Sequence, residues 1–225
     1  MCFSATASFI TAAALLPVGL TTVTLARRRP AGGWWPLAVT PWLFAIQQGL
    51  EGLVWLTLDG VAPQLLLHPV SLIYLGFAFA LWPVWMPWSA LHLASGRVRR
   101  LIRPLWGLGC LLAALLWLPL LLHPSWIDPI VRQGSIDYQV QLPWAEQLGH
   151  QSVSLVYGLI ICVPLLLHPR RRLRWLALAL LLAFGVAQLA FLHAFSSVWC
   201  YFSAVLSSLL IWVVQDDTAP LATDV

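Results

Sequence analysis

Long apolar runs constrain this chain more than any other feature of its sequence. It has 225 residues, of which 60% are hydrophobic and only 9% are charged, whereas about a quarter of the residues of a soluble domain are charged. A helix needs roughly 20 apolar residues to cross the hydrocarbon core of a bilayer. Seven runs of that kind cover residues 4–25, 34–57, 68–93, 101–121, 149–167, 173–194 and 196–214. We therefore predict an all-α polytopic membrane protein, a bundle of seven transmembrane helices.

The basic residues predict how the bundle is oriented. All 12 are arginines, and 11 of them lie in alternate gaps between the apolar runs, namely Arg27, Arg28, Arg29, Arg97, Arg99, Arg100, Arg103, Arg170, Arg171, Arg172 and Arg174. Short cytoplasmic loops of membrane proteins are enriched in Lys and Arg. We therefore predict an outside N-terminus, a cytoplasmic C-terminus and a bacterial inner membrane location. Arginines confined to these gaps mark topology, so the net charge of +4 does not indicate a nucleic-acid partner.

The same reading predicts one transmembrane domain over residues 1–215 and a cytoplasmic tail over residues 216–225. The outer loop 122–148 is the one sizeable segment outside the apolar runs. Within it, SIDYQVQLP alternates apolar and polar residues, which is the period of a half-buried strand. A short strand or hairpin here would form a lid over the mouth of the bundle, and an ordinary surface loop fits equally well.

Polar residues concentrate in the outer halves of the spans under this topology, while the inner halves are almost purely apolar. Polar side chains inside a bilayer find their partners by facing the bundle interior. We therefore predict a polar pocket, open toward the extracytoplasmic side, that binds a small ligand or ion. The residues expected to form it are Ser4, Gln47, Gln48, Glu51, His150, His193, Ser197 and Cys200.

Glu51 is the most unusual member of this set, because it lies within the apolar segment FAIQQGLEGLVW. An ionised carboxylate at the centre of a span costs roughly 2.5–3.5 kcal/mol on insertion scales. Gln47 and Gln48 precede it by four and three positions and share its helical face. Glu51 is the candidate catalytic residue, as a general base or proton carrier, or a ligand contact. The alternative is that it only forms hydrogen bonds to neighbouring helices.

Two cysteines, Cys2 and Cys200, are expected at the outer membrane face. A disulfide between them, two free thiols, or a copper or zinc site with His193 are the alternatives. No CxxC or HExxH spacing accompanies them, so we favour a disulfide or free thiols over a metal ion.

Three segments, MCFSATASF, FAIQQGLEGLVW and SSVWCYFSAVLS, resemble an uncharacterised family of small bacterial multi-spanning membrane proteins, a domain of unknown function. The resemblance implies a membrane protein and no established activity. It groups the residues of the matching segments, which are Cys2, Ser4, Gln47, Gln48, Glu51, Ser197, Trp199 and Cys200.

Three functions fit these observations. The first is a membrane protein that binds a small ligand or metal ion in the outer pocket. The second is an intramembrane enzyme, hydrolase- or redox-type, with Glu51 as base and Cys200 or Cys2 as nucleophile or ligand. The third is a structural subunit of a membrane complex, in which the polar faces serve helix packing alone. The sequence does not decide among them.

Overall fold

The computed structural model describes residues 4–29 and 32–215, apart from the side chains of Glu146, Leu148 and His150. Of the described residues, 82% are helical. Its α-helices are α1 (Ala5–Arg27), α2 (Trp35–Leu58), α3 (Leu67–Leu75), α4 (Trp82–Leu93), α5 (Gly96–Leu122), α6 (Pro143–Leu148), α7 (His150–Leu166), α8 (Arg171–Ala190), α9 (Phe195–Leu206) and α10 (Leu210–Val214). A 3₁₀ turn (Gln64–Leu66) precedes α3, a π turn (Gly76–Leu81) joins α3 to α4, and two further 3₁₀ turns (Leu192–Ala194 and Ser207–Leu209) flank α9.

Helices occupy each of the seven predicted ranges. Within the described chain, five continuous helical segments are long and apolar enough to cross a membrane, namely Ala5–Arg27, Gln64–Leu93, Gly96–Leu122, Arg171–Ala190 and Leu192–Val214. These segments indicate a membrane protein. The other two predicted spans, α2 and α7, differ for physical reasons. α2 has 24 residues but carries two glutamines and a glutamate, and α7 has only 17 residues.

α2 lies at the centre of the helix packing, which is why it tolerates polar residues. It packs along α1, where the Thr22 hydroxyl donates to the Ala38 carbonyl at 2.6 Å and the Trp42 indole donates to the Leu16 carbonyl at 3.0 Å. Gly19 makes this approach possible, because a Cβ atom there would lie 2.1 Å from Cδ1 of Trp42. On its other sides α2 contacts α3, α4, α9 and α10. Gln47, Gln48 and Glu51 are consequently buried.

The third predicted span is irregular over Gly76–Leu81, just before the run WPVWMPW. The backbone N–H of Trp82 donates to the Phe77 carbonyl, five residues earlier, and Pro83 has no N–H to donate. The Ala78 carbonyl therefore has no donor within its own helix. The Tyr157 hydroxyl, from α7, donates to it instead. The π turn thus leaves the Ala78 carbonyl free to accept from another helix. The hydrogen bond from Tyr157 connects α7 to the third span.

The segment between α5 and α6 contains a short hairpin. Strands β1 (Ile130–Arg132) and β2 (Ser135–Asp137) are antiparallel, with Val131 opposite Ile136. The alternation of SIDYQVQLP holds in burial, since Ile136, Tyr138 and Leu142 are buried, although only residues 135–137 of the run are strand. The apolar face of the loop therefore packs onto the helices.

Candidate functional site

Glu51 lies in the second half of α2, with only 1% of its surface exposed. Its Oε2 accepts a hydrogen bond from Gln48 Nε2 at 3.1 Å, and its Oε1 accepts one from the Ser197 hydroxyl of α9. The ring of Tyr74, on α3, lies beside the carboxyl group, and its hydroxyl donates to the Ser196 carbonyl at 3.4 Å. Glu51 therefore joins α2 to α9 through two donors, with Tyr74 of α3 as a neighbour.

A second polar layer continues from Glu51 toward α4. The Gln47 Oε1 accepts from the indole N–H of Trp82 at 2.8 Å, which fixes the orientation of that amide. The Cys200 thiol lies beside Gln47 and beside the Tyr74 hydroxyl. We call these six residues, Gln47, Gln48, Glu51, Tyr74, Ser197 and Cys200, the Glu51 cluster.

The Glu51 cluster does not use all of its hydrogen-bonding capacity. Among the described residues, Gln47 Nε2 finds no acceptor and Gln48 Oε1 finds no donor, although both atoms are buried. The hydroxyl of Tyr138, near the cluster, is also buried without a partner in the described chain. A buried polar group left unpaired costs about 1–3 kcal/mol. This part of the interior is therefore more polar than its own packing requires.

A cavity of about 940 Å³ lies next to the cluster, between the hairpin loop, the start of α7 and the segment from Leu192 to Cys200. Cys200 is the one member of the Glu51 cluster that lines it, and His193 lines it too. Arg132 and Asp137, paired at 3.8 Å, contribute to its wall.

Tyr138 separates the cavity from Glu51. Its ring lines the cavity and stacks on Tyr74, with centroids 4.8 Å apart and planes 11° from parallel. Burial raises the pKa of the Tyr138 hydroxyl well above its ordinary value, and the charge of Glu51 raises it further. Tyr138 is therefore neutral, and the Tyr138–Tyr74 stack forms the boundary between the cavity and the carboxyl group.

The predicted pocket residues fall into three groups. Gln47, Gln48, Glu51, Ser197 and Cys200 lie together in one cluster. Ser4 is exposed and caps α1 by accepting from Ala7 N–H at 3.2 Å, so it belongs to neither the cluster nor the cavity wall. His193 lines the cavity but does not belong to the Glu51 cluster. The backbone of His150 begins α7, but its side chain lies outside what the structure describes.

The predicted metal set is reduced to two described residues. Cys2 lies outside the described residues, and Cys200 has a free thiol. No three His, Cys, Asp or Glu side chains come together as metal ligands in the part of the chain that is described. Cys200 and His193 therefore lack a third ligand among these residues, and the copper or zinc site stays a prediction.

Three residues of the site were not among the predicted set: Tyr74, Trp82 and Tyr138. Tyr74 follows Ser71 by three positions in the half of the third predicted span that was expected to be outer and polar, which was a usable signal. Trp82 and Tyr138 reach the site through tertiary packing, and nothing in their local sequence predicts these contacts.

The profile of a family of unknown function (DUF6629) matches residues 1–224 of the chain. No curated protein and no solved structure matches the chain.

Proposed function

Because the chain belongs to DUF6629, a family of unknown function, we propose a role from its own geometry. It is a seven-helix integral membrane protein, N-terminus outside and C-terminus cytoplasmic, that binds a small molecule in the cavity beneath the hairpin. The observation that carries this proposal is the juxtaposition of a cavity of about 940 Å³ with the buried Glu51 cluster. Ligand sites of roughly 300–1,000 Å³ bury most of a drug-sized molecule.

The cavity wall favours an amphiphilic ligand. Aromatic rings of Tyr138, Tyr157, Phe195 and Trp199 supply apolar contact area. Polar atoms supply the smaller share of the wall's surface, and among the hydrogen-bonding side chains Cys200 marks the side that adjoins Glu51. A ligand with an apolar, ring-bearing body and one polar end matches this distribution, with its polar end toward Cys200.

Native mass spectrometry of full-length protein, purified from membranes in mild detergent, tests this function. We expect a co-purifying small molecule on the wild type. Ser152→Trp should displace it, because Ser152 lines the cavity and a tryptophan side chain would fill the space. Leu189→Trp is the matched control, since Leu189 is 90% exposed and should leave the bound mass unchanged. Wild-type protein that carries no small molecule, in detergent or in nanodiscs, contradicts the proposal.

A second candidate is an intramembrane enzyme of hydrolase or redox type that uses the same cluster. The observation in its favour is that Tyr74 contacts both Glu51 and Cys200, which links a potential base to a potential nucleophile. Glu51→Gln distinguishes it from simple binding, because an enzyme would then retain unconverted substrate, of a different mass from the molecule on the wild type. Elemental analysis of the same samples detects copper or zinc. If Ser152→Trp and Glu51→Gln change nothing, the polar groups serve helix packing, as in a structural subunit.

A further inference from the structure

The end of the bundle opposite the cavity carries a cluster of positive charges, and the described acidic residues lie at the other end. We call it the arginine face: the turns that join α1 to α2, α4 to α5 and α7 to α8, with the first turns of α5 and α8. Six exposed arginines lie near the starts of α5 and α8, namely Arg97, Arg99, Arg100, Arg103, Arg171 and Arg174, and Arg28 of the α1–α2 turn is exposed as well. The acidic side chains that the structure describes, Glu51, Asp59, Asp128 and Asp137, all belong to the half that holds the cavity. Asp216, Asp217 and Asp224 lie outside the described residues.

Two contacts hold the turns of the arginine face together. The ring of His168, in the α7–α8 turn, bonds through Nε2 to the Leu93 carbonyl at the end of α4, at 3.0 Å. The guanidinium of Arg170 lies over the ring of Trp34, just before α2, at 4.9 Å from its centroid. Helices α5 and α8 therefore begin close to each other, and both begin with arginines.

Arginine is an unfavourable residue at these positions. The N-terminus of a helix has a partial positive charge, so cations in the first turn are destabilising and anions are stabilising. Neither Ser95 before α5 nor Arg170 before α8 caps its helix through a side chain. No carboxylate of the described chain lies within salt-bridge distance of the six exposed arginines. The folded protein thus collects positive charge that its described residues do not neutralise.

The depth of the arginine face is indicated by tryptophans. Trp35 opens α2, Trp175 lies in the second turn of α8 and Trp212 lies near the end of α10, and these side chains are 53%, 51% and 42% exposed. Exposed tryptophans at helix ends mark the headgroup level of a bilayer. The arginines of the first turns of α5 and α8 are at the same end of the helices, so they lie where lipid phosphates are found.

We propose that the arginine face binds the phosphate groups of anionic phospholipids in the leaflet that it meets. Guanidinium groups form paired hydrogen bonds with phosphate oxygens, and clusters of basic residues beside a membrane span attract anionic lipids. The lipid phosphates supply the negative charge that the two helix N-termini lack. This site is separate from the cavity and needs only that the helices span a bilayer.

Native mass spectrometry from nanodiscs tests the lipid site. Full-length protein is reconstituted in phosphatidylcholine mixed with phosphatidylglycerol, and the two lipids that remain bound on release are compared. We expect phosphatidylglycerol to be enriched, and high salt during reconstitution to abolish the enrichment. The triple variant Arg97→Gln/Arg100→Gln/Arg171→Gln should reduce the enrichment of phosphatidylglycerol by about five-fold for each arginine removed. Each arginine near a charged surface strengthens lipid binding by about that factor. The corresponding Arg→Lys variant keeps the charge and should keep most of the enrichment.

Three results would overturn the proposal. The first is equal retention of both lipids by the wild type, and the second is unchanged enrichment in the glutamine variant. If that triple variant does not fold, the single Arg171→Gln variant must still lower the enrichment. The third is a rise in the melting temperature with inorganic phosphate, in detergent, as large as the rise with phosphatidylglycerol. That result would assign the face to a soluble phosphate ligand.

Discussion

Glu51 is surrounded by side chains that give it hydrogen bonds, and this determines what its replacement should do. Ser197 and Gln48 both donate to the carboxyl group, and Tyr74 lies beside it. Glu51→Ala removes the acceptor for both donors, so we expect the free energy of unfolding to fall by about 3 kcal/mol or more. Glu51→Gln keeps one acceptor oxygen, and the Ser197 and Tyr74 hydroxyls can rotate to accept, so the fold should survive. Thermal unfolding in detergent measures both variants.

The glutamine variant also separates a functional carboxylate from a structural one. We expect Glu51→Gln to fold and to lose or change the co-purifying small molecule, because an amide replaces the carboxyl group beside the cavity. Unaltered retention of the wild-type molecule by this variant would show that Glu51 serves packing alone.

His168 gives the arginine face a pH dependence. It is only 2% exposed, its Nε2 bonds to the Leu93 carbonyl, and its Nδ1 accepts from the Arg170 backbone N–H at 3.3 Å. Since a carbonyl cannot donate, Nε2 carries the proton and the ring is neutral. Burial lowers the pKa of His168 below its ordinary 6.5, and the nearby Arg170 lowers it further, against the opposing effect of the Leu93 bond.

The sign of this pH effect follows from the lowered pKa. The unfolded chain takes up the proton first as the pH falls, so protonation favours unfolding. The contribution of His168 to stability is complete above pH 6.5 and is lost as the pH falls through the folded-state pKa. We expect the melting temperature to drop over this range in the wild type, and the drop to be smaller in His168→Gln. His92→Gln, at an exposed histidine, should behave as the wild type; a drop that is the same in all three proteins would exclude His168 as the cause.

At the scale of elements, one glycine sets how closely α5 approaches the proline-rich span. A Cβ atom at Gly109 would lie 2.0 Å from the Pro83 carbonyl oxygen, a backbone atom that cannot move aside. Gly109→Ala should therefore push the two helices apart and lower the free energy of unfolding by about 2 kcal/mol or more. Gly107→Ala is the matched control on the same helix, since nothing lies within 4 Å of its Cβ position. It should be neutral or stabilising by about 0.5–1 kcal/mol; equal effects of the two changes would contradict the close contact.

The π turn offers a second test between elements. Tyr157→Phe removes the donor to the Ala78 carbonyl and should cost about 1–3 kcal/mol, because that carbonyl is then buried unpaired. Pro83→Ala restores a backbone N–H that can donate within the helix, so Tyr157→Phe should cost less in that background. A double-mutant cycle of unfolding measurements gives the coupling between the two sites, and additive costs would show that the hydroxyl does not compensate for the proline.

Helices and shared helical faces were predictable from the sequence, and contacts that depend on packing were not. The spacing of Gln47, Gln48 and Glu51 placed them on one face, and the polar outer halves indicated Ser197 and Cys200 as their partners. Tyr138 reaches the site from the loop just after the hairpin, and Trp82 reaches it from the position just after the π turn. Both depend on how distant segments pack, and neither has a period or spacing that sequence analysis can detect. Ser4 shares the polar signal of the others, but as a helix cap it needs no partner in the bundle.

At the scale of the whole molecule, the two ends of the bundle have opposite characters. One end carries the cavity, the hairpin and the described acidic residues, and the other carries the arginine face. Among the helices that leave the arginine face, α2 carries Gln47, Gln48 and Glu51 in its second half, whereas the second half of α5 is apolar. Because the two ends differ, locating either end in the membrane assigns both proposed sites to a leaflet. The ligand proposal is connected to the membrane topology in this way.

Reporter fusions locate that end. We expect fusions after residues 30, 98 and 171 to report the cytoplasm. Arginines cluster beside each of these positions, and basic loops remain on the cytoplasmic side. Fusions within residues 125–145, in the hairpin loop, should report the outside, since an odd number of spans separates them from each cytoplasmic position. Arginine substitution provides the control: neutral replacement of Arg97, Arg99, Arg100 and Arg103 should weaken the signal at residue 98 if charge sets the orientation. An external signal at residue 98 in the wild type would invert the bundle and place the cavity in the cytoplasmic leaflet.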